Sequence, residues 1–364
     1  MLKEGLAGVV TAQSRISLVD GEKGQLVYRG YWAEDIAQHK SFEEVMYLLW
    51  YQRFPQPVEL DTFIQSMKNA RVLSETEESI LHSLPTNMDM MSVIRTMLST
   101  RGTTDYQWPS TIEEGIQLTA LVPTIICYRY RLLNGMGPIM PRKDLDHVSN
   151  YLYMLHGTEP RKAHVKALTG YLILTMEHGM NASTFAARVI SSTQSDLVSA
   201  VAGAIGAMKG PLHGGAPSGV IDLLEEIGSI EKAEPYIRKK LENGELLMGF
   251  GHRVYKTMDP RARALRAITS NLTQDDPWFA LANQVEQLAI ELLDEYKPGR
   301  RLYTNVEFYA AAILKALQIP TDLFTPTFTM SRIVGWIANV YEQNENNRII
   351  RPSSEYVGKM PDPK

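Results

Sequence analysis

Apolar residues recur every three or four positions along most of this chain, the spacing of helices with one buried face. SFEEVMYLLW starts with Ser41 and Glu44 in capping-box spacing, where each side chain satisfies the other residue's free backbone amide. TIEEGIQLTALVPTIICYRYRLLNG repeats the device at Thr111 and Glu114, carries Pro123 as an expected kink, and stops at Gly135. PRKAHVKALTGYLILTMEHGM, DPRARALRAITSNL and DPWFALANQVEQLAIELLDEYKPG are helical in the same way. The last two open on Asp-Pro, an N-cap followed by proline at the first helical position. LYTNVEFYAAAILKALQIP is a further helix, with Glu307 standing between Val306 and Phe308. Thr304 and Glu307 fit the capping box, so this carboxylate has a structural claim on it before any chemical one.

Period-two alternation is confined to the start. ISLVDGEKGQLVYRGY places two β-prone runs around a DGEKG turn, an expected hairpin. The pattern otherwise predicts an all-α protein. SDLVSAVAGAIGAMKG carries small residues at Ala200, Ala207, Gly203 and Gly210, a smooth helix face for close internal packing. Gly/Pro-rich stretches at 209–219 and 296–301 bracket about a hundred residues, after which helical sequence resumes. This predicts a smaller domain, 213–312, inserted between two parts of a larger one, 1–212 and 313–364, with hinges near both brackets. The tail NRIIRPSSEYVGKMPDPK is polar and proline-containing, an expected arm rather than a core element.

Composition narrows the function. The chain has 364 residues, 44% hydrophobic and 21% charged, with net charge −4. That balance argues against general nucleic-acid binding, so an anionic ligand must meet a local cationic cluster. Cys127 is the single cysteine, in the apolar run LVPTIICY, which excludes an intrachain disulfide and fits a reducing cytoplasm. The start MLKEGLAGVV lacks a signal-peptide core and no apolar run approaches bilayer length; the expectation is a soluble cytoplasmic protein without a membrane partner.

Three histidines have glycine neighbours, in EHGMN (His178), GPLHGGAP (His213) and GFGHRVYK (His252), where the backbone can turn tightly and present an imidazole. There is no HExxH, no GxSxG, no complete dinucleotide fingerprint and no P-loop, so zinc, serine-nucleophile and nucleotide chemistry find no support. LMGFGHRVYKTMDPRARALR sets Arg253, Lys256, Arg261, Arg263 and Arg266 against one acid, Asp259. Arg261 falls in the first turn of a helix, where unpaired amides favour anions. With Arg332 in TMSRIVGW and Arg351 in IRPSS, the cations point to a di- or tricarboxylate or a phosphate ligand.

GPLHGGAP, GFGHRVYKTMDPRA, NVEFYAA, SRIVGW and RPSS, in this order and spacing, resemble the citrate synthase family, and the likeness extends to YRGY and EHGMN. The resemblance implies an all-α fold with an inserted small domain closing over substrate. It also implies a homodimer, of the dimeric subgroup with a short N-terminus. It implies condensation of acetyl-CoA with oxaloacetate, then hydrolysis of citryl-CoA to citrate and CoA, with no cofactor. By motif, His213 would stabilise the enol of acetyl-CoA, Glu307 would remove the methyl proton, and His252 would donate to the oxaloacetate carbonyl. His178, Arg261 and Arg332 would bind oxaloacetate, with Arg351 reaching in from the partner subunit. Lys256, with Gly249 and Gly251, falls where the family holds CoA.

The chemistry agrees with these roles. A thioester methyl proton is far less acidic than a carboxylic acid, so the base needs a preorganised donor stabilising the enolate. A neutral imidazole is the expected donor, a helix N-terminus disfavouring the imidazolium. Two positions depart from the family. Glu307 stands where Asp is usual, and one methylene moves a carboxylate by roughly 1–1.5 Å. Ala311 replaces a small polar residue or glycine, which could reshape the same turn. Two other readings share the motifs: a 2-methylcitrate synthase using propionyl-CoA, and a poorly catalytic homologue that only binds oxaloacetate or CoA.

Overall fold

The structure, a computed structural model, describes residues 3–6, 8–214, 216–252, 254–270 and 277–361, without the side chains of 216–218. Among the described residues there are sixteen α-helices and one small sheet. The sheet is the expected hairpin with one addition: β1 (Ser17–Asp20), β2 (Gln25–Tyr28) and β3 (Tyr31–Trp32) lie in sequence order and antiparallel. Asp20 pairs with Gln25 across the DGEKG turn, and Arg29 and Gly30, both at positive φ, make the tight turn into β3.

The helix starts follow their caps. Ser41 with Glu44 and Thr111 with Glu114 close full capping boxes on Phe42–Tyr51 and Ile112–Leu133, the latter running through Pro123 as one helix. Asp259 caps Pro260–Thr269. Pro277 opens Pro277–Tyr296, while its expected cap, Asp276, lies outside the described residues, as does Arg253.

The core is built around Phe324–Glu345, which is buried on nearly every side, with Trp336 fully enclosed. It packs on Ile112–Leu133, Lys162–Thr175, Ala182–Ser192 and Leu197–Met208. The small-residue face of the last of these is internal: a Cβ on Gly203 would meet Ile190 Cδ1 at 2.2 Å. Cys127 is buried in the same body, and burial pushes its thiol up, away from reactivity. From between the two Gly/Pro-rich brackets, Ile230–Glu242 packs on Pro277–Tyr296 and Ala216–Ile227 on Val306–Ala316, which follows the second bracket, while Pro260–Thr269 and Val306–Ala316 both reach Lys162–Thr175. The 347–361 tail has no regular structure and is largely exposed, as expected of an arm. No helix among the described residues is long and apolar enough to cross a membrane.

Candidate active site

Segments far apart in sequence meet around one cavity of about 290 Å³, lined by His178, His213, His252, Arg261, Glu307 and Arg332 together with Tyr171, Thr175, Asn181, Gly214, Val306, Ala310 and Phe328. Each polar group arrives on a fixed support. Arg332 projects from the central helix and donates from Nε to the Thr175 carbonyl at 2.7 Å, with its guanidinium 4.7 Å from the Phe328 ring centroid. His178 follows the end of Lys162–Thr175, and its Nε2 lies 3.0 Å from the Tyr255 hydroxyl. His213 sits in the turn before Ala216–Ile227 with Nε2 2.7 Å from Ser183 Oγ, which also accepts from Trp336 Nε1 at 2.9 Å.

The GFG segment joins His252 to Glu307. Gly251 N–H donates to Tyr303 O at 2.7 Å and Asn305 N–H to Gly249 O at 2.9 Å, so residues 249–251 run antiparallel to 303–305. Both glycines have left-handed φ, 87° and 78°, and a Cβ on Gly249 would press on Phe308 and Val220 at 3.0–3.1 Å. Glycine is therefore required by backbone and space together.

This pairing overturns the capping box expected at Thr304. Thr304 pairs with Phe250 and its Oγ1 meets no partner among the described residues. Asn305 caps instead, its Oδ1 accepting from Glu307 N–H at 3.0 Å, and the helix starts at Val306, one residue too late for Glu307 to close a box with Thr304. Val306 N–H donates instead to Asp259 Oδ2 at 3.1 Å. With the free amides satisfied by Asn305 and Asp259, the Glu307 carboxylate accepts no hydrogen bond among the described residues, and it faces the cavity. Ala311 is fully buried within the helix, and Ala310 rather than Ala311 lines the cavity.

Electrostatics keep the imidazoles neutral. Burial first, then the Arg261 and Arg332 charges, hold His178 well below its usual range. Burial and Arg261 bring His252 down to about 4, against the opposing pull of Asp259. His213 is lowered by burial and Arg332, so these replace the helix N-terminus as the cause expected from sequence. Glu307 moves the other way: burial raises it, with Arg261 opposing and Asp259 adding. Asp259, 1% exposed, had been legible only as a cap; it also grips the Arg261 side chain through Nε at 3.0 Å and Nη2 at 2.8 Å. A partly desolvated carboxylate beside neutral N–H donors and two guanidiniums can abstract a proton next to a carbonyl while holding a dianion.

A family model described as the citrate synthase C-terminal domain matches residues 5–353. Citrate synthase 2 of Bacillus subtilis (strain 168) is 42% identical over 363 residues, covering 97% of this chain and 95% of the relative. The chain belongs to the citrate synthase family. Its activity is that of a citrate synthase. The 2-methylcitrate synthase of Shewanella oneidensis is 37% identical over 363 residues, 98% of this chain and 95% of its own. The solved citrate synthase of Thermotoga maritima MSB8 superposes with TM-score 0.87 at 40% identity, covering 100% of this chain and 98% of that one. A ternary complex of Thermoplasma acidophilum citrate synthase with carboxymethyl coenzyme A and oxaloacetate gives TM-score 0.88 at 28% identity, covering 100% and 98%.

Of the positions that citrate synthase motifs single out, six line the cavity: the three histidines, Glu307, Arg261 and Arg332. Lys256, Gly249 and Gly251 do not line it, and Lys256 is exposed. Arg351 is exposed in the tail and is absent from the lining of its own chain's cavity. Tyr255 and Trp336 lie within GFGHRVYKTMDPRA and SRIVGW and Ser183 just after EHGMN, but none stands out, because a polar or aromatic residue carries no local signal of the imidazole it will meet.

Proposed function

We propose that this cavity binds oxaloacetate and the acyl end of acetyl-CoA, joins them to citryl-CoA, and hydrolyses the thioester to citrate and CoA. One observation carries the reading: a raised carboxylate, three imidazoles held neutral and two buried guanidiniums converge from distant segments on a single cavity. At about 290 Å³ the cavity suits a small dicarboxylate and a short acyl group rather than a whole coenzyme, since drug-sized ligands occupy roughly 300–1,000 Å³. The nucleotide part of CoA would lie outside, over the 249–256 segment, with Lys256 near its phosphates.

Glu307 takes a methyl proton from acetyl-CoA, and burial makes it the stronger base. His213 donates to the thioester oxygen as the enolate forms. This needs the Ser183 hydroxyl proton turned from Asn181 Oδ1, 2.8 Å away, to His213, so that Nε2 accepts and the other ring nitrogen carries the hydrogen. His252 has Nδ1 occupied by two backbone N–H groups, from Val254 and Tyr255 at 3.0 and 3.1 Å, which leaves Nε2–H as its donor. Arg261 Nη2 lies 3.1 Å from that nitrogen. A guanidinium only donates, so His252 gives Nε2–H to the ketone of oxaloacetate, whose carbonyl carbon the enol attacks, once Arg261 turns its own N–H to a substrate carboxylate. His178 and Arg332 bind the rest of the dianion.

Residues 213–312 would close as a smaller domain on the remainder, excluding water until the carbon–carbon bond forms. The working unit is a cytoplasmic homodimer in which Arg351 reaches the partner's cavity. The direct test measures CoA release with oxaloacetate and either acetyl-CoA or propionyl-CoA. A higher kcat/KM for acetyl-CoA is expected; a propionyl-CoA preference of tenfold or more would instead assign the 2-methylcitrate reaction, and no release with either would leave only binding.

A further inference from the structure

Tyr255 stands behind the cavity, 3% exposed and outside its lining, yet it touches three of the groups that line it. Its hydroxyl lies 3.0 Å from His178 Nε2, its ring centroid lies 4.9 Å from that of His252, and the Arg261 guanidinium lies 5.5 Å from the same ring. Its backbone N–H donates to His252 Nδ1 at 3.1 Å. The N-terminal hairpin pins this turn from behind: Lys256 N–H donates to Gly21 O at 2.9 Å.

Counting protons gives these contacts a purpose. His252 meets donors at both ring nitrogens, two amides at Nδ1 and Arg261 Nη2 at Nε2, so these contacts fix no single tautomer for it. At His178 the choice rests on the phenol, which has no other hydrogen-bond partner among the described residues. If His178 donated from Nε2, the buried hydroxyl proton would be left unsatisfied, which is costly. If Tyr255 donates, both groups are satisfied and the His178 hydrogen sits on Nδ1.

We propose that Tyr255 is a positioning residue that sets the tautomer of His178. Its hydroxyl donates to His178 Nε2, so that the neutral ring offers Nδ1–H to the ligand. The other groups facing His178, namely Arg261 from Pro260–Thr269, Arg332 from the central helix and the His252 ring, offer no acceptor that would favour the opposite arrangement. The proposal rests on reading the cavity as an oxaloacetate site.

Tyr255→Phe removes the hydroxyl while keeping the ring and the amide, so its effect must pass through His178. Calorimetric Kd values for oxaloacetate in wild type, Tyr255→Phe, His178→Ala and the double variant test this, together with kcat. Tyr255→Phe should weaken oxaloacetate binding roughly tenfold, the size of one lost hydrogen bond, and leave kcat at saturation within about threefold. In the His178→Ala background the same change should alter Kd by less than about twofold, because coupled residues are not additive. An unchanged Kd for Tyr255→Phe, or an equal loss in both backgrounds, would overturn the proposal. Wild type failing to bind oxaloacetate would overturn the ligand reading and the proposal with it. Nitrogen-15 NMR of wild-type histidines gives an independent reading. The imidazole signals lost in His178→Ala should be those of the Nδ1–H tautomer, and an Nε2–H pattern would refute the assignment.

Discussion

Gly21 lies in the hairpin turn, outside the cavity lining, yet its replacement by alanine should damage catalysis. A Cβ there would lie 2.1 Å from the Val254 carbonyl oxygen and 2.8 Å from its carbon, both backbone atoms. Gly21 is not in the left-handed region, so alanine adds no backbone strain of its own, and the whole effect comes from this contact. Ordinary contact begins at 3.4 Å, so the 254–256 turn must retreat by about 1.3 Å. The hairpin cannot yield freely: Gly21 O accepts from Lys256 N–H, and a Cβ on Gly24 would press on Thr257 Cγ2 and Met258 O at 2.6 and 2.9 Å. Val254 and Tyr255 amides hold His252 Nδ1, so the retreat carries the imidazole with it. Misplacement of a reacting group by ~1 Å costs on the order of 10²-fold. Steady-state CoA release should show that loss in kcat. Thermal unfolding should fall by only a few degrees, because overpacking at one contact costs about 1–3 kcal/mol. Glu22→Ala, at an exposed position of the same turn, is the control and should change neither. A Gly21→Ala enzyme with kcat within threefold of wild type would refute the reasoning.

Glu307→Asp should be slower than wild type. Asn305 and Asp259 fix the helix start, so nothing advances the shorter acid by the roughly 1–1.5 Å it loses, and a faster Asp variant would contradict this. Glu177, buried against Ser17 and Asn339, is pushed up from 4.5 to about 7, burial outweighing the Arg332 charge. The folded state therefore holds its proton more tightly than the unfolded chain. Its contribution is present below pH 4.5 and is lost as pH rises to about 7, about 3 kcal/mol in all. Melting temperatures should thus move in favour of Glu177→Gln relative to wild type between pH 5 and pH 8, and a trend in wild type's favour would refute it. For the shared site, Arg351→Ala and His252→Ala homodimers should each be nearly inactive, and activity should return on mixing and refolding them. No recovery in heterodimers verified by native mass spectrometry would place Arg351 in its own subunit's site.

Much of this architecture is legible locally. Ser41–Glu44 and Thr111–Glu114 form their boxes because nothing else competes for those backbone amides. Thr304–Glu307 has the same spacing and fails because the distant GFG segment claims residues 303–305, and no local pattern reveals such a competitor. The three histidines and Arg261 are accessible because flanking glycines and a helix start mark them in sequence, while the chemical role of Glu307 comes only through the family resemblance. Their supports are not marked. Asp259 reads as a cap, while its second oxygen holds the start of a helix beyond residue 300. Tyr255 and Trp336 carry no such mark, and only the folded chain shows the polar atom of each meeting His178 or Ser183.

Glu307→Gln tests the central claim most directly, because an amide has nearly the shape of the carboxylate but cannot act as a general base. The carboxylate supports no hydrogen bond among the described residues and burial penalises its charge, so the variant should melt at or slightly above the wild-type temperature. With oxaloacetate and acetyl-CoA saturating, kcat for CoA release should fall by roughly 10²–10⁴-fold. A well-folded Gln variant with kcat within tenfold of wild type would place the base elsewhere and contradict the account.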